Sequence, residues 1–164
     1  MLDALNAPAA PTVVRREDYR PPDWLVPSVR LEFKLSVERT RVHATLVVER
    51  NGRHDRPLRL DGDELKPVAV RVDGEETSNW SLDAGALVLP LSGDQHTIET
   101  EVELNPAANT KLMGLYASGG LLCTQCEAEG FRRITFFPDR PDVLSRYHVR
   151  MEADCESFPI LLCN

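Results

Sequence analysis

The sequence predicts an all-β fold. Three observations carry that reading. Apolar residues recur at every second position through most of the chain, the alternating runs are short, and turn-forming dipeptides separate them at spacings of roughly ten residues. No stretch carries apolar residues at the three-and-four spacing of a helix of three turns.

The elements follow in order. Residues 1–14 are rich in Ala and Pro and read as a flexible leader, and residues 15–164 read as one β-domain. Val29, Leu31, Phe33, Leu35 and Val37 alternate with Arg30, Glu32, Lys34 and Ser36, the mark of a half-buried strand. After a turn at Glu38 to Thr40, Val42, Ala44, Leu46 and Val48 repeat the pattern. The pair reads as an antiparallel hairpin with one face on a core. Asn51-Gly52 supplies a turn. Leu58 and Leu60 give a short strand ending at Asp61-Gly62, and Val68, Val70 and Val72 give another, stopped by Asp73-Gly74. Leu87 and Leu89 mark the next, ahead of Pro90 and Ser92-Gly93. Ile98, Thr100, Val102 and Leu104 form one more, ended by Asn105-Pro106. Ala117 to Gly120 reads as a small, flexible stretch, Pro141 to Arg146 as one helical turn capped by Asp139, and Tyr147, Val149, Met151 and Ala153 as a last alternating strand. The apolar run Pro159 to Cys163 reads as a strand cut short, as at a boundary inside a longer protein.

Composition bounds the function. The 164 residues suit one domain with a sizeable core, and 42% hydrophobic with 27% charged content is ordinary for a soluble globular protein. A net charge of -7 argues against nucleic acid, which needs a basic face. No run approaches the ~20 apolar residues of a membrane helix. The first residues have neither the basic nor the apolar region of a signal peptide, so the expected location is the cytoplasm. Two Trp and three Tyr are too few for a sugar-stacking platform. Cys123 and Cys126 form a C-x-x-C pair, but Cys155 and Cys163 stand eight apart and make a poor second half for a zinc site. The cysteines therefore read as buried or half-buried thiols.

The catalytic inventory is thin. H-E-x-x-H, a G-x-S-x-G elbow and a phosphate-binding loop are all absent, and of His43, His54, His96 and His148 three sit in or beside strand patterns, where a solvent-facing or satisfied role is expected. No residue of the chain is expected to be catalytic or to bind metal. The stretch Thr124 to Arg133, TQCEAEGFRR, has functional texture. Extended, it would align Gln125, Glu127 and Glu129 on one side, an amide and two carboxylates suited to an ammonium or guanidinium partner. The alternative is a surface cluster in which Glu127 and Glu129 pair with Arg132 and Arg133. Asp139-Arg140-Pro141-Asp142 reads as a turn held by ion pairs.

Gly114-Leu115-Tyr116, Ser118, Thr124-Gln125, Glu127, Arg133, Phe137, Asp139 and Pro141 together give GLY-x-S, TQ-x-E, R-x-x-x-[FY] and D-x-P in sequence. With Asp18-Tyr19-Arg20-Pro21-Pro22, the strand Val29-x-Leu-x-Phe-x-Leu and Asn105 to Thr110, this resembles the N-terminal domain of bacterial aminopeptidase N, a zinc metallo-aminopeptidase. The resemblance runs from about residue 15 to residue 164, and its specific part is Thr124 to Pro141.

The resemblance implies a saddle-like, mostly antiparallel β-domain packed on a thermolysin-like catalytic domain. It implies a parent enzyme that removes single residues from peptide N-termini, with one zinc held by two His and a Glu and a further Glu activating water. Those groups and the family's G-x-M-E-N motif would follow residue 164, so the chain alone is expected to be inactive. The resemblance gives Glu127 a role across the domain boundary, on the substrate's free α-ammonium, and gives Gln125 a part in shaping the pocket for the first residue. Glu129 matches no family role. The expected partners are a peptide N-terminus and the parent's own catalytic domain. The competing expectation is a non-catalytic β-sandwich interaction or scaffold module.

Overall fold

A computed structural model describes residues 15–163, so the expected leader over residues 1–14 lies outside the described residues. The strands are β1 (Trp24–Lys34), β2 (Thr40–Arg50), β3 (Leu58–Leu60), β4 (Pro67–Val72), β5 (Glu75–Glu76), β6 (Ser81–Asp83), β7 (Ala86–Leu89), β8 (Gln95–Leu104), β9 (Gly114–Ser118), β10 (Leu121–Gln125) and β11 (Arg146–Glu152). The described helical structure is three short 3-10 turns, at Arg16–Asp18, Pro106–Ala108 and Phe131–Arg133. No helix among the described residues is long and apolar enough to cross a membrane. The all-β reading holds.

The strands form a six-stranded sheet ordered β11-β1-β2-β8-β4-β5, a three-stranded sheet β3-β7-β6, and the hairpin β9-β10. Among the described residues every pairing is antiparallel except one: β11 runs parallel to β1, with Val29 opposite Tyr147 and Leu31 opposite Val149. The central hairpin β1–β2 and its partner β8 stand where the alternation places them, because their apolar residues share one face. Leu46 faces Val29 on one side and Ile98 on the other, and Val42 faces Phe33 and Val102. These side chains merge with Leu58, Leu60, Leu87 and Leu89 of the small sheet into one buried cluster. Each contributes about 1.5–3 kcal/mol of burial.

The opposite face of the large sheet is a ladder of charges. Arg41 reaches Glu101 at 3.4 Å and Glu103 at 3.1 Å, and His43 lies 3.3 Å from Glu99. Cross-strand pairs of this kind add little each when exposed, but they keep that face in water.

β1 begins five residues before the alternation does, and the reason is local. Trp24 and Val26 are buried, then the parity switches to Val29, Leu31 and Phe33. The register with β2 slips between Leu25 and Ser28, around Pro27. Proline cannot donate to a ladder and is accommodated at such a bulge, which inserts a residue and flips the faces beyond it.

Other expectations are corrected. Pro141 and Asp142 make a turn and no helix follows: the Val143 N–H closes on the Arg140 carbonyl at 3.2 Å, and the chain runs on irregularly until Arg146 joins the ladder of β11. Ala117 to Gly120 is part of an ordered hairpin in which Gly119 and Gly120, both at positive φ, close a two-residue loop between Ser118 and Leu121. Pro159 to Cys163 forms no strand and leaves Ile160 and Leu162 exposed. Cys155 and Cys163 are exposed, while Cys123 and Cys126 are half-buried thiols.

Candidate functional site

Gln125 and Glu127 meet where β10 ends. Gln125 is the last residue of β10 and pairs with Gly114 of β9. The chain then turns through Glu127 to Gly130, with the Glu127–Ala128 peptide cis, and enters the 3-10 turn Phe131–Arg133. The Gly130 N–H donates to the Cys126 carbonyl at 2.8 Å, and the Arg133 N–H donates to the Gly130 carbonyl at 3.1 Å. The Gln125 side-chain amide donates to the Glu127 carbonyl at 3.1 Å, which fixes the two residues relative to one another. The extended row of Gln125, Glu127 and Glu129 therefore does not form, since the strand stops after its first member.

The two glutamates separate in their partners. Glu129 lies 3.4 Å from Arg132, as the surface-cluster reading expects. Arg132 also reaches the Asp139 carboxylate at 3.1 Å. The Glu127 carboxylate has no basic partner among the described residues, and its side chain is exposed. It is an unspent acceptor beside an amide.

Arg133 turns the other way. Its side chain is 8% exposed, and its guanidinium binds Asp63 and, at 2.6 Å, Glu64. Lys111 joins the same pair, 2.8 Å from Glu64 and 3.8 Å from Asp63. The Lys111 ammonium and then the Arg133 guanidinium hold the Glu64 carboxyl down at about 2, against an ordinary 4.5. A folded-state value below the unfolded one contributes stability above the unfolded value, and that contribution is lost as pH falls through about 2. A carbon-detected NMR titration should find Glu64 still ionised at pH 3.5; a midpoint near the ordinary value would break the cluster as described.

Backbone pairing supports the same region. The Asp63 N–H donates to the Arg132 carbonyl at 2.9 Å, and Asp61 and Phe137 exchange bonds at 2.9 and 3.1 Å. Arg140 closes on Asp142 at 2.6 Å, the turn the sequence suggests. Burial, with the Asp139 charge behind it, pushes the Cys126 thiol up, so it is a packing group rather than a ready nucleophile. Asp63, Glu64 and Lys111 carry no motif that singles them out. They lie far from Arg133 in sequence, and only the fold brings them to it.

A family model described as the Peptidase M1 N-terminal domain matches residues 28–164. The chain belongs to this family. Aminopeptidase N of Caulobacter vibrioides is 51% identical over 156 residues, 94% of this chain and 18% of that protein. Aminopeptidase N of Escherichia coli is 46% identical over 154 residues, again 94% of this chain and 18% of that protein. Legionella pneumophila aminopeptidase A, solved in complex with aspartic acid, superposes with a TM-score of 0.82 at 31% identity, covering 89% of this chain and 18% of that one. The M1 N-terminal domain thus spans less than a fifth of the length of these relatives.

Among the described residues of this M1 N-terminal domain, no three His, Cys, Asp or Glu converge as a metal would require. His43 and His96 are turned to carboxylates, His96 at 2.7 Å from Asp73, and His54 lies 2.7 Å from the Asp23 carbonyl. The donor set of the described residues does not fit a zinc ion.

Proposed function

We propose that this domain forms the substrate-facing N-terminal part of a zinc-dependent aminopeptidase, and that Glu127, aided by Gln125, receives the free α-ammonium of the peptide. The observation that carries this reading is the state of the carboxylates around the turn. Glu129, Asp139, Asp63 and Glu64 are all matched to Arg or Lys, and Glu127, next to the Gln125 amide, is exposed and has no basic partner among the described residues.

An ionised carboxylate accepts only, and an ammonium supplies three donors on a compact charge, so the two suit each other. Once a catalytic domain covers the turn, the pair is taken from water and becomes selective. A blocked or internal amide would leave the acid buried and unpaired, and the enzyme would reject it. Gln125 holds the Glu127 backbone and borders the space for the first residue. The chain itself supplies recognition and no metal ligand; zinc and the hydrolytic groups belong to the catalytic domain of the parent, and the cytoplasm is the proposed location.

The test compares two proteins and two substrates. The full-length enzyme carrying this domain should hydrolyse an aminoacyl chromogenic substrate and spare its N-acetyl counterpart. The 164-residue chain with added zinc should hydrolyse neither. Cleavage of the acetylated substrate at a comparable rate would remove amine recognition, and turnover by the chain alone would remove the division of labour.

A further inference from the structure

We infer that Arg133, locked by Asp63 and Glu64, is a positioning residue for Glu127; this rests on the amine-binding role proposed above. Among the described residues the Glu127 carboxylate has no side-chain anchor, so its direction is set by the turn that carries it. That turn has two fixed ends. One is Gln125 at the close of β10, and the other is the 3-10 turn ending at Arg133.

The two ends are pressed together through glycines. A Cβ built on Gly114, the residue paired with Gln125, would lie 2.7 Å from the Arg133 Cβ and 3.3 Å from the Gly130 carbonyl oxygen. A Cβ on Gly130 would lie 2.8 Å from the Cys126 Cα and collide with the Gln125 carbonyl oxygen. Gly114, Gln125, Gly130 and Arg133 therefore form a single close-packed backbone unit with Glu127 on its outer loop. Such contacts leave no room for the turn to rotate unless Arg133 moves.

Arg133 is kept from moving by its guanidinium. The planar fork engages two carboxylates at once, and Lys111 lies within ion-pair distance of the same two. The Asp63 N–H to Arg132 carbonyl bond adds a backbone tie to the same loop. A lysine at position 133 would keep the charge and lose the fork. A glutamine at position 64 would keep the shape and lose one charge.

The experiment is a double-mutant cycle in the full-length enzyme, measured on a free-amine substrate. Arg133→Lys should raise KM about ten- to a hundredfold with a smaller change in kcat, the signature of a misplaced binding group, and Glu64→Gln, which leaves Arg133 on Asp63, should raise it about two- to fivefold. Neither should add to Glu127→Ala, because a residue that acts through Glu127 has nothing left to position once it is gone. Glu64→Gln touches an exposed residue and keeps the test readable if Arg133→Lys fails to fold. Additive effects, or unchanged KM in both variants while Glu127→Ala is impaired, would overturn the positioning role and leave the amine-binding reading standing. An unimpaired Glu127→Ala enzyme would remove both.

Discussion

Glu127→Ala in the full-length enzyme should lower kcat/KM on free-amine peptides by about 2–5 kcal/mol, roughly 30- to 4000-fold. The size follows from what is left behind. Removing the carboxylate strands the substrate's ammonium in a covered pocket, and an uncompensated charge costs more than the pair was worth. The effect should vanish for ligands without an amine, which never used the carboxylate. Glu129→Ala serves as the internal comparison. Its partner Arg132 keeps Asp139, so the loss should stay within the small range of exposed ion pairs. Steady-state kinetics on the two variants side by side checks this; equal losses would mean that the turn tolerates neither change and that Glu127 has no special place.

Phe136→Ala should destabilise the domain by about 3–5 kcal/mol, lowering its midpoint of thermal unfolding by about 10 °C. Phe136 is completely buried at the seam between the segment after Arg133 and the loops of the small sheet. Its ring lies against Gly62 so closely that a Cβ there would collide with the ring Cε1 and sit 2.7 Å from Cδ1 and 2.8 Å from the Gly85 carbonyl oxygen. Backbone approaches the ring on that side, so the wall cannot collapse inward to fill the space, and the full cavity cost applies. Thermal and denaturant unfolding followed by circular dichroism would measure it. A loss below about 1 kcal/mol would mean that the seam repacks.

The legible parts of the fold are those in which one face is buried and the other wet. Val42 to Val48 and Ile98 to Val102 announce themselves because a one-residue slip would bury their charges. β5 and β6 are silent for the opposite reason: Glu75–Glu76 and Ser81–Asp83 are exposed throughout and have no core face to pattern. The segment with the candidate site was visible as a motif. Its shape was not, because a run of Gln125, Glu127 and Glu129 looks extended until Gly130 folds back on Gln125. Arg133 stands in the motif, and sequence proximity points it to Glu127 and Glu129, but its partners are Asp63 and Glu64, which only the fold of the small sheet's loop brings to it.

The parallel pairing of β11 with β1 joins residues such as Ser28 and Arg146, 118 positions apart in sequence. Contacts of such separation must overcome the entropy of closing a long loop that takes in every strand between them, and they set a slow clock on folding. During synthesis, β1 can find β2 early, but its other edge stays bare until Arg146–Glu152 has left the ribosome. Throughout that interval the exposed border of the growing sheet is a template for any other extended chain nearby.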